Sequence, residues 1–241
     1  KIKNVTQGTG VNFAWAQILR IATMHRMLDM YGALPYSQIS SDKLSTPYDT
    51  MEEAYHAMFT DLTDAINVMT VYVTENPNNR TMAKYDKVYD GDFEKWVKFA
   101  NSLKLRMAIR IRFADREYAR QMAEEAINHS IGVITSNEDN ATSLGTKNQL
   151  YTVLVQWPDQ CVSADITSYM KGYNDPRMSK YFKKKTSDKG DDDYVGMRAG
   201  LSYGNDITGP TFSRINVGEM DRTLWMSAAA VSYTHLRAHE T

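Results

Sequence analysis

Four short stretches of this 241-residue chain put reactive side chains at suggestive spacings. "GLSYG", residues 200–204, matches the G-x-S-x-G nucleophile elbow around Ser202. An elbow needs a strand and a helix to pinch the serine into a sharp turn. Here "NDITGP" follows, which starts no useful helix, and no strand–helix–strand pattern surrounds it. "HLRAHE" sets His235 and His239 one helical turn apart, a spacing suited to a metal pair. "DKGDDDY", residues 188–194, gathers carboxylates without the alternating ligands and distal glutamate of a calcium loop. "QGTGVNF" holds two glycines of a dinucleotide fingerprint but neither the third nor a preceding strand. Paired carboxylates for glycoside hydrolysis need not be close in sequence, and no pattern here selects a pair. Nothing calls for a cofactor or a bound metal.

A better-supported chemistry is stacking. Tyr151, Trp157, Tyr173, Tyr194, Tyr203, Phe212 and Trp225 lie in or beside an irregular second half. Each ring offers a flat apolar face with a polar edge or tip, which suits partial exposure at a binding surface. Sugar rings stack on such faces through their C–H bonds. Tyr151, Trp157 and Tyr203 are our stacking candidates, chosen by ring type and loop position; the alternative is that such rings pin long loops to the body.

The elements that must position these rings are helices. "VNFAWAQILRIATMHRMLDMYG" runs without a breaker to Gly32 and Pro35. In "PYDTMEEAYHAMFTDLTDAINVM", Thr50 and Glu53 form a capping-box pattern, and Met51, Ala54, Tyr55, Met58, Leu62, Ala65, Ile66 and Met69 keep helical spacing. Asp92 is the expected N-cap of a third helix and Asp115 of a fourth, whose apolar face is Ala119, Met122, Ala123, Ala126 and Ile127. So short a link between long helices folds them into an antiparallel hairpin. Beyond Gly132 the periodicity fades. Residues 163–171 read as a short helix, and Asp175 with Pro176 as the start of another. Residues 183–221 read as a long irregular excursion.

The third helix tests a rival function. Phe93, Trp96, Val97, Ala100, Leu103, Met107, Ala108 and Ile111 share one face, Lys104 intrudes into it, and the other basic residues divide between its two flanks. A phosphate-binding helix concentrates its charge on one side. This pattern instead predicts a helix contacted on several sides, with Lys104 snorkelling or meeting a carboxylate. A net charge of −1 gives no global pull toward nucleic acid or acidic membrane. The lone Cys161 excludes an internal disulfide and a thiolate zinc cluster. No apolar run approaches the ~18 residues of a membrane span.

Several segments, in order, resemble the SusD/RagB family of Bacteroidota surface lipoproteins: "MLDMYGALPYSQI", "PYDTMEEAYHAMFTDLTDAI", "VYDGDFEKWVKFANSLKLRMAIRI", "NDPRMSKYF" and "TLWMSAAAV". The resemblance implies a mainly all-α fold of tetratricopeptide-like helical hairpins carrying a long irregular insert. Residues 1–231 would be one incomplete domain, with hairpins over 11–131, a ligand-binding region over 132–222 and the start of a further helix over 223–231. It implies a non-enzymatic protein that captures oligosaccharide, or another nutrient, at the cell surface. Its partner would be a SusC-like TonB-dependent transporter, with outer-membrane attachment through an N-terminal lipid anchor outside this sequence. The family supplies no invariant ligand motif, so the stacking candidates rest on ring type alone. "VSYTHLRAHET" departs from the family pattern and looks like translated adaptor DNA, which makes residues 232–241 an expected non-native tail. Competing expectations are a helical-repeat scaffold for protein partners and a glycoside hydrolase.

Overall fold

A computed structural model describes residues 5–39, 45–144, 152–153, 157, 161–185, 193–201, 211–216 and 222–232. The chain divides into two compact units, Lys1–Ser143 with Leu224–Thr241, and Leu144–Thr223. The fold is mainly helical.

The first unit is built on α1 (Val11–Tyr31), α2 (Met51–Glu75), α3 (Phe93–Ile111) and α4 (Arg116–Ile127). Helix α1 packs on α2, α2 on α3, and α3 on α4, as two antiparallel hairpins. The sequence signals act as read. Thr50 and Glu53 close a reciprocal capping box on α2. Asp92 accepts from the Lys95 N–H at the start of α3, and Asp115 from the Tyr118 N–H at the start of α4. Side chains fix the hairpin register at the end of the helices where Thr50 and Asp115 lie: Asp29 of α1 accepts from the Tyr55 hydroxyl at 2.5 Å and pairs with Arg110 at 3.3 Å.

Helix α3 is the central post. Thirteen of its nineteen residues are buried, including Phe99 and Leu105 from outside the main apolar face. Burial on every side replaces the one-sided stripe of a surface helix. Lys104 finds its carboxylate, with Nζ 2.6 Å from Glu125 Oε2 of α4. Polar side chains of α3 anchor the segment that follows α4. Asn101 donates to the Gly132 carbonyl, the Ile134 N–H donates to Ser102 Oγ, and Lys98 Nζ lies 2.9 Å from Asp139.

Strand β1 (Ala141–Leu144) pairs with β4 (Arg222–Met226). The expected start of a helix over 223–231 is therefore corrected. "RTLWM", with a β-branched and an aromatic residue, is a strand, and helical structure begins only at 228. The Trp225 indole N–H donates to Ser143 Oγ, and the Ala228 N–H to Asn140 Oδ1, so side chains from the distant 140–143 segment hold the strand-to-helix turn.

The second unit holds α5 (Ala164–Gly172), α6 (Met178–Tyr181), β2 (Phe182–Lys183) and β3 (Arg214–Ile215). β2 and β3 are antiparallel, with Phe182 opposite Ile215. Val162, Met170, Met178 and Phe182 form a small separate core. Ser163 caps α5 through the Asp165 N–H. The expectation for "NDPRMSKYF" shifts by two residues. Helix α6 starts at Met178 because the Asp175 carboxylate binds the Arg177 N–H and guanidinium instead of capping a longer helix. Among the described residues no helix is long and apolar enough to cross a membrane.

Candidate functional site

The site is built on α5. Its inner side is set by Thr167 and Met170, which are buried. Gly196 forces close packing there: a Cβ on it would lie 2.5 Å from the Ala164 Cα. With that side committed, Tyr169 and Tyr173, one turn apart, stand outward and are 68% and 80% exposed. They flank a shallow pocket of about 300 Å³ with Ser168 and Gly172. Space is open around Gly172, with nothing within 4 Å of where a Cβ on it would be.

The helix C-terminus holds Tyr173 in place. The Tyr173 N–H donates to the Tyr169 carbonyl, the Asn174 N–H to Lys171, and the Asp175 N–H to Met170 at 2.9 Å. Asn174 takes φ +48°, the left-handed conformation that asparagine tolerates at a helix end. Asp175 is then clasped by Arg177, with Oδ2 2.5 Å from Nη2. The Arg177 hydrogen bonds hold the Asp175 carboxyl down at about 2. Lys171 pairs with Asp193 at 2.5 Å and pulls that carboxyl below its usual range. The charged groups beside the tyrosines are thus paired, and two rings with hydroxyl tips remain to meet a ligand.

Of the sequence candidates, Trp157 is 56% exposed, and its N–H donates to the Thr152 carbonyl across five residues. Tyr151 and Tyr203 lie outside the described residues, as do Ser202, His235, His239 and residues 188–192. Tyr194 packs against the small core, with Lys184 Nζ 5.8 Å from its ring centre. Trp225 belongs to the first unit. "QGTGVNF" is the turn into α1, with Gly10 as N-cap and helical residues, not a strand, just before it. Tyr169 was missed by sequence reasoning; its signal was the Tyr-x-x-x-Tyr spacing on a short helix. Among the described residues no cluster of three or more metal-binding side chains occurs.

Among curated proteins no significant match is found. A SusD-like protein from Bacteroides thetaiotaomicron superposes with a TM-score of 0.83 at 34% identity, over 97% of this chain and 49% of the other. A SusD homolog from Bacteroides uniformis gives 0.80 at 41% identity, over 97% and 48%. A chitin-binding SusD homolog from Flavobacterium johnsoniae gives 0.83 at 33% identity, over 97% and 49%. The chain therefore spans about half the length of these structures. The family model described as SusD-like, Susd and RagB outer membrane lipoprotein, matches residues 1–240. With the helical hairpins, the order of the motifs and that match in agreement, the chain belongs to the SusD-like family.

Proposed function

We propose that this chain is part of a cell-surface lipoprotein that captures oligosaccharide and hands it to a TonB-dependent outer-membrane transporter. The observation that carries the reading is the outward Tyr169–Tyr173 pair beside an open pocket of about 300 Å³. That volume is at the lower end of ligand pockets, and the openness suits a chain laid across the surface more than an engulfed small molecule. The rings stack on sugar C–H faces, their hydroxyls orient the ligand, and Trp157 contributes a third exposed face. Tyr151 and Tyr203 stay in the proposal as loop candidates. The binding is equilibrium capture, with no bond made or broken.

The relative described as chitin-binding makes chito-oligosaccharides the first ligands to try. The transporter docks on the helical unit, whose exposed Met30, Tyr31, Tyr48 and Phe113 supply apolar surface for a partner. Isothermal titration against chito-oligosaccharides and a neutral glycan panel tests the reading. Saturable binding with the ligand recovered intact supports it. Shortened sugar products would point to hydrolysis instead, and no binding across the panel would leave a protein-binding scaffold as the better account.

A further inference from the structure

The helical unit carries a second concavity, far smaller and chemically different. The end of α2, the 76–80 turn and the start of α3 enclose a notch of about 100 Å³. Its floor is aromatic: Phe93 is buried, and its ring meets that of Tyr72 edge-on at 5.8 Å. Its rim is polar and held by the turn itself. The Asn76 amide N–H donates to the Tyr72 carbonyl, which leaves its Oδ1 as an acceptor. Asn79 Oδ1 accepts from the Thr81 N–H, which leaves its amide hydrogens as donors. Arg80 is held by Asp92 at 2.8 Å. Among the described residues the side chains of Asn78 and Glu94 have no partner. Asn78 is held at φ +65°.

Fixed amide donors and acceptors, a free carboxylate and an apolar floor are what a hydroxylated ring needs. The volume is well below the ~300–1,000 Å³ of an enclosing ligand pocket, so the notch takes an edge, not a whole oligosaccharide. We propose that this notch is a second sugar-binding site, which grips the edge of a single neutral sugar residue by its hydroxyl or acetamido groups. The inference rests on the glycan-capture reading and adds to it a second point of attachment on a different unit.

The side-chain amides of Asn76, Asn78 and Asn79 report directly. With ¹⁵N-labelled protein and N,N′-diacetylchitobiose as probe, their resonances should shift in a saturable way. The variants Asn78→Gly and Glu94→Gln alter side chains without a structural partner, so the fold should be kept. Glycine also accepts the positive φ at position 78. Each should weaken the shifts at the remaining notch amides at least fivefold, while shifts around Tyr169 and Tyr173 persist. Shifts at residues 169–173 with none at the notch would overturn this inference and leave the capture reading intact. Notch shifts unchanged in both variants would overturn it too. Absence of shifts anywhere, repeated across the neutral glycan panel, would defeat both readings together.

Discussion

The indole N–H of Trp96 donates to Asp86 Oδ2 at 2.7 Å, and three backbone N–H groups converge on the same buried carboxylate. Val88 and Tyr89 donate to Oδ1 and Gly91 to Oδ2. One side chain thus shapes the loop that delivers Asp92 to its capping position and seats Trp96 in the core. Charge-assisted bonds to buried donors are strong, and donors left unpaired are costly. Asp86→Ala should therefore lose about 3–5 kcal/mol, the range for breaking a buried network. Trp96→Phe, which removes one donor and some volume, should lose about 1–2 kcal/mol. Urea unfolding followed by far-UV circular dichroism measures both; equal losses would contradict the convergence on Asp86.

Gly91 illustrates a second kind of constraint. It has φ +78°, and a Cβ there would stand 2.7 Å from the Ala83 backbone nitrogen. Gly132 has nearly the same φ, +77°, with open space around it. Alanine at 132 meets only the conformational penalty, about 1 kcal/mol. Alanine at 91 meets that penalty and must push backbone aside. Gly91→Ala should therefore destabilise by at least about 1 kcal/mol more than Gly132→Ala, read as the difference between their denaturant midpoints at equal slope.

Asp86 also marks how far the sequence could be read. Helix α2 was legible because Thr50 and Glu53 advertise its start and its apolar residues repeat at 3.6. The multi-sided burial of α3 was legible because Lys104, Phe99 and Leu105 break the single stripe. Asp86 was not legible: its four donors sit two, three, five and ten residues on, a spacing with no period. The strand at "RTLWM" was masked by the helix formers that follow it in "SAAAV". At the site, aromatics were sought by ring type and loop position, and Trp157 and Tyr173 are exposed. Tyr169 escaped because its outward direction follows only once Thr167 and Met170 are known to face inward. The asparagines of the 76–80 turn follow no period in the sequence, and only the fold brings them over Phe93.

Lys104 and Glu125 make an unequal pair: the lysine side chain is 4% exposed and the glutamate 41%. Removing the glutamate strands a buried ammonium, whereas replacing the lysine with a similar apolar shape removes the need for a partner. Lys104→Met should change stability by less than about 1 kcal/mol. Glu125→Ala should cost about 1–2 kcal/mol, a range reduced for the exposure of the carboxylate. Thermal unfolding of the two variants at matched pH decides the order; a larger loss for Lys104→Met would refute it.

Acid should weaken the helical unit through two histidines. Burial holds the imidazoles of His25 and His129 below their ordinary value. At His129 the positive charge of Lys104 acts in the same direction. The hydrogen bonds at His129 require the neutral ring. Thr70 spends its hydroxyl proton on the Ile66 carbonyl, so Nε2 must donate to Thr70, and Nδ1 must accept from the Ile131 N–H. A folded value below the unfolded one, about 6.5, means that the unfolded chain takes up protons first. The contribution to stability is complete above that pH and is lost as pH falls through the depressed folded values. Melting temperature should therefore drop over the window that opens as pH falls below about 6.5. The drop should be shallower in His129→Gln, whose amide donates and accepts without titrating. A wild-type profile flat across that window would contradict the argument.

Binding and stability should separate at the tyrosines. Tyr169 and Tyr173 are outward and largely exposed, so Tyr169→Ala and Tyr173→Ala should leave stability within about 0.5 kcal/mol. Each removes a stacking face worth about 0.5–1.5 kcal/mol, which is a two- to tenfold loss of affinity for a chito-oligosaccharide. The double variant should lose more than either single, because both rings flank one pocket. Trp157→Ala should likewise weaken binding without unfolding, since its ring is exposed and its structural bond uses the backbone. Titration calorimetry beside a melting curve for each variant makes the comparison. Affinity unchanged in a folded double tyrosine variant would move the ligand off α5. Affinity lost only at Trp157 would shift the site toward that ring and the loops around it.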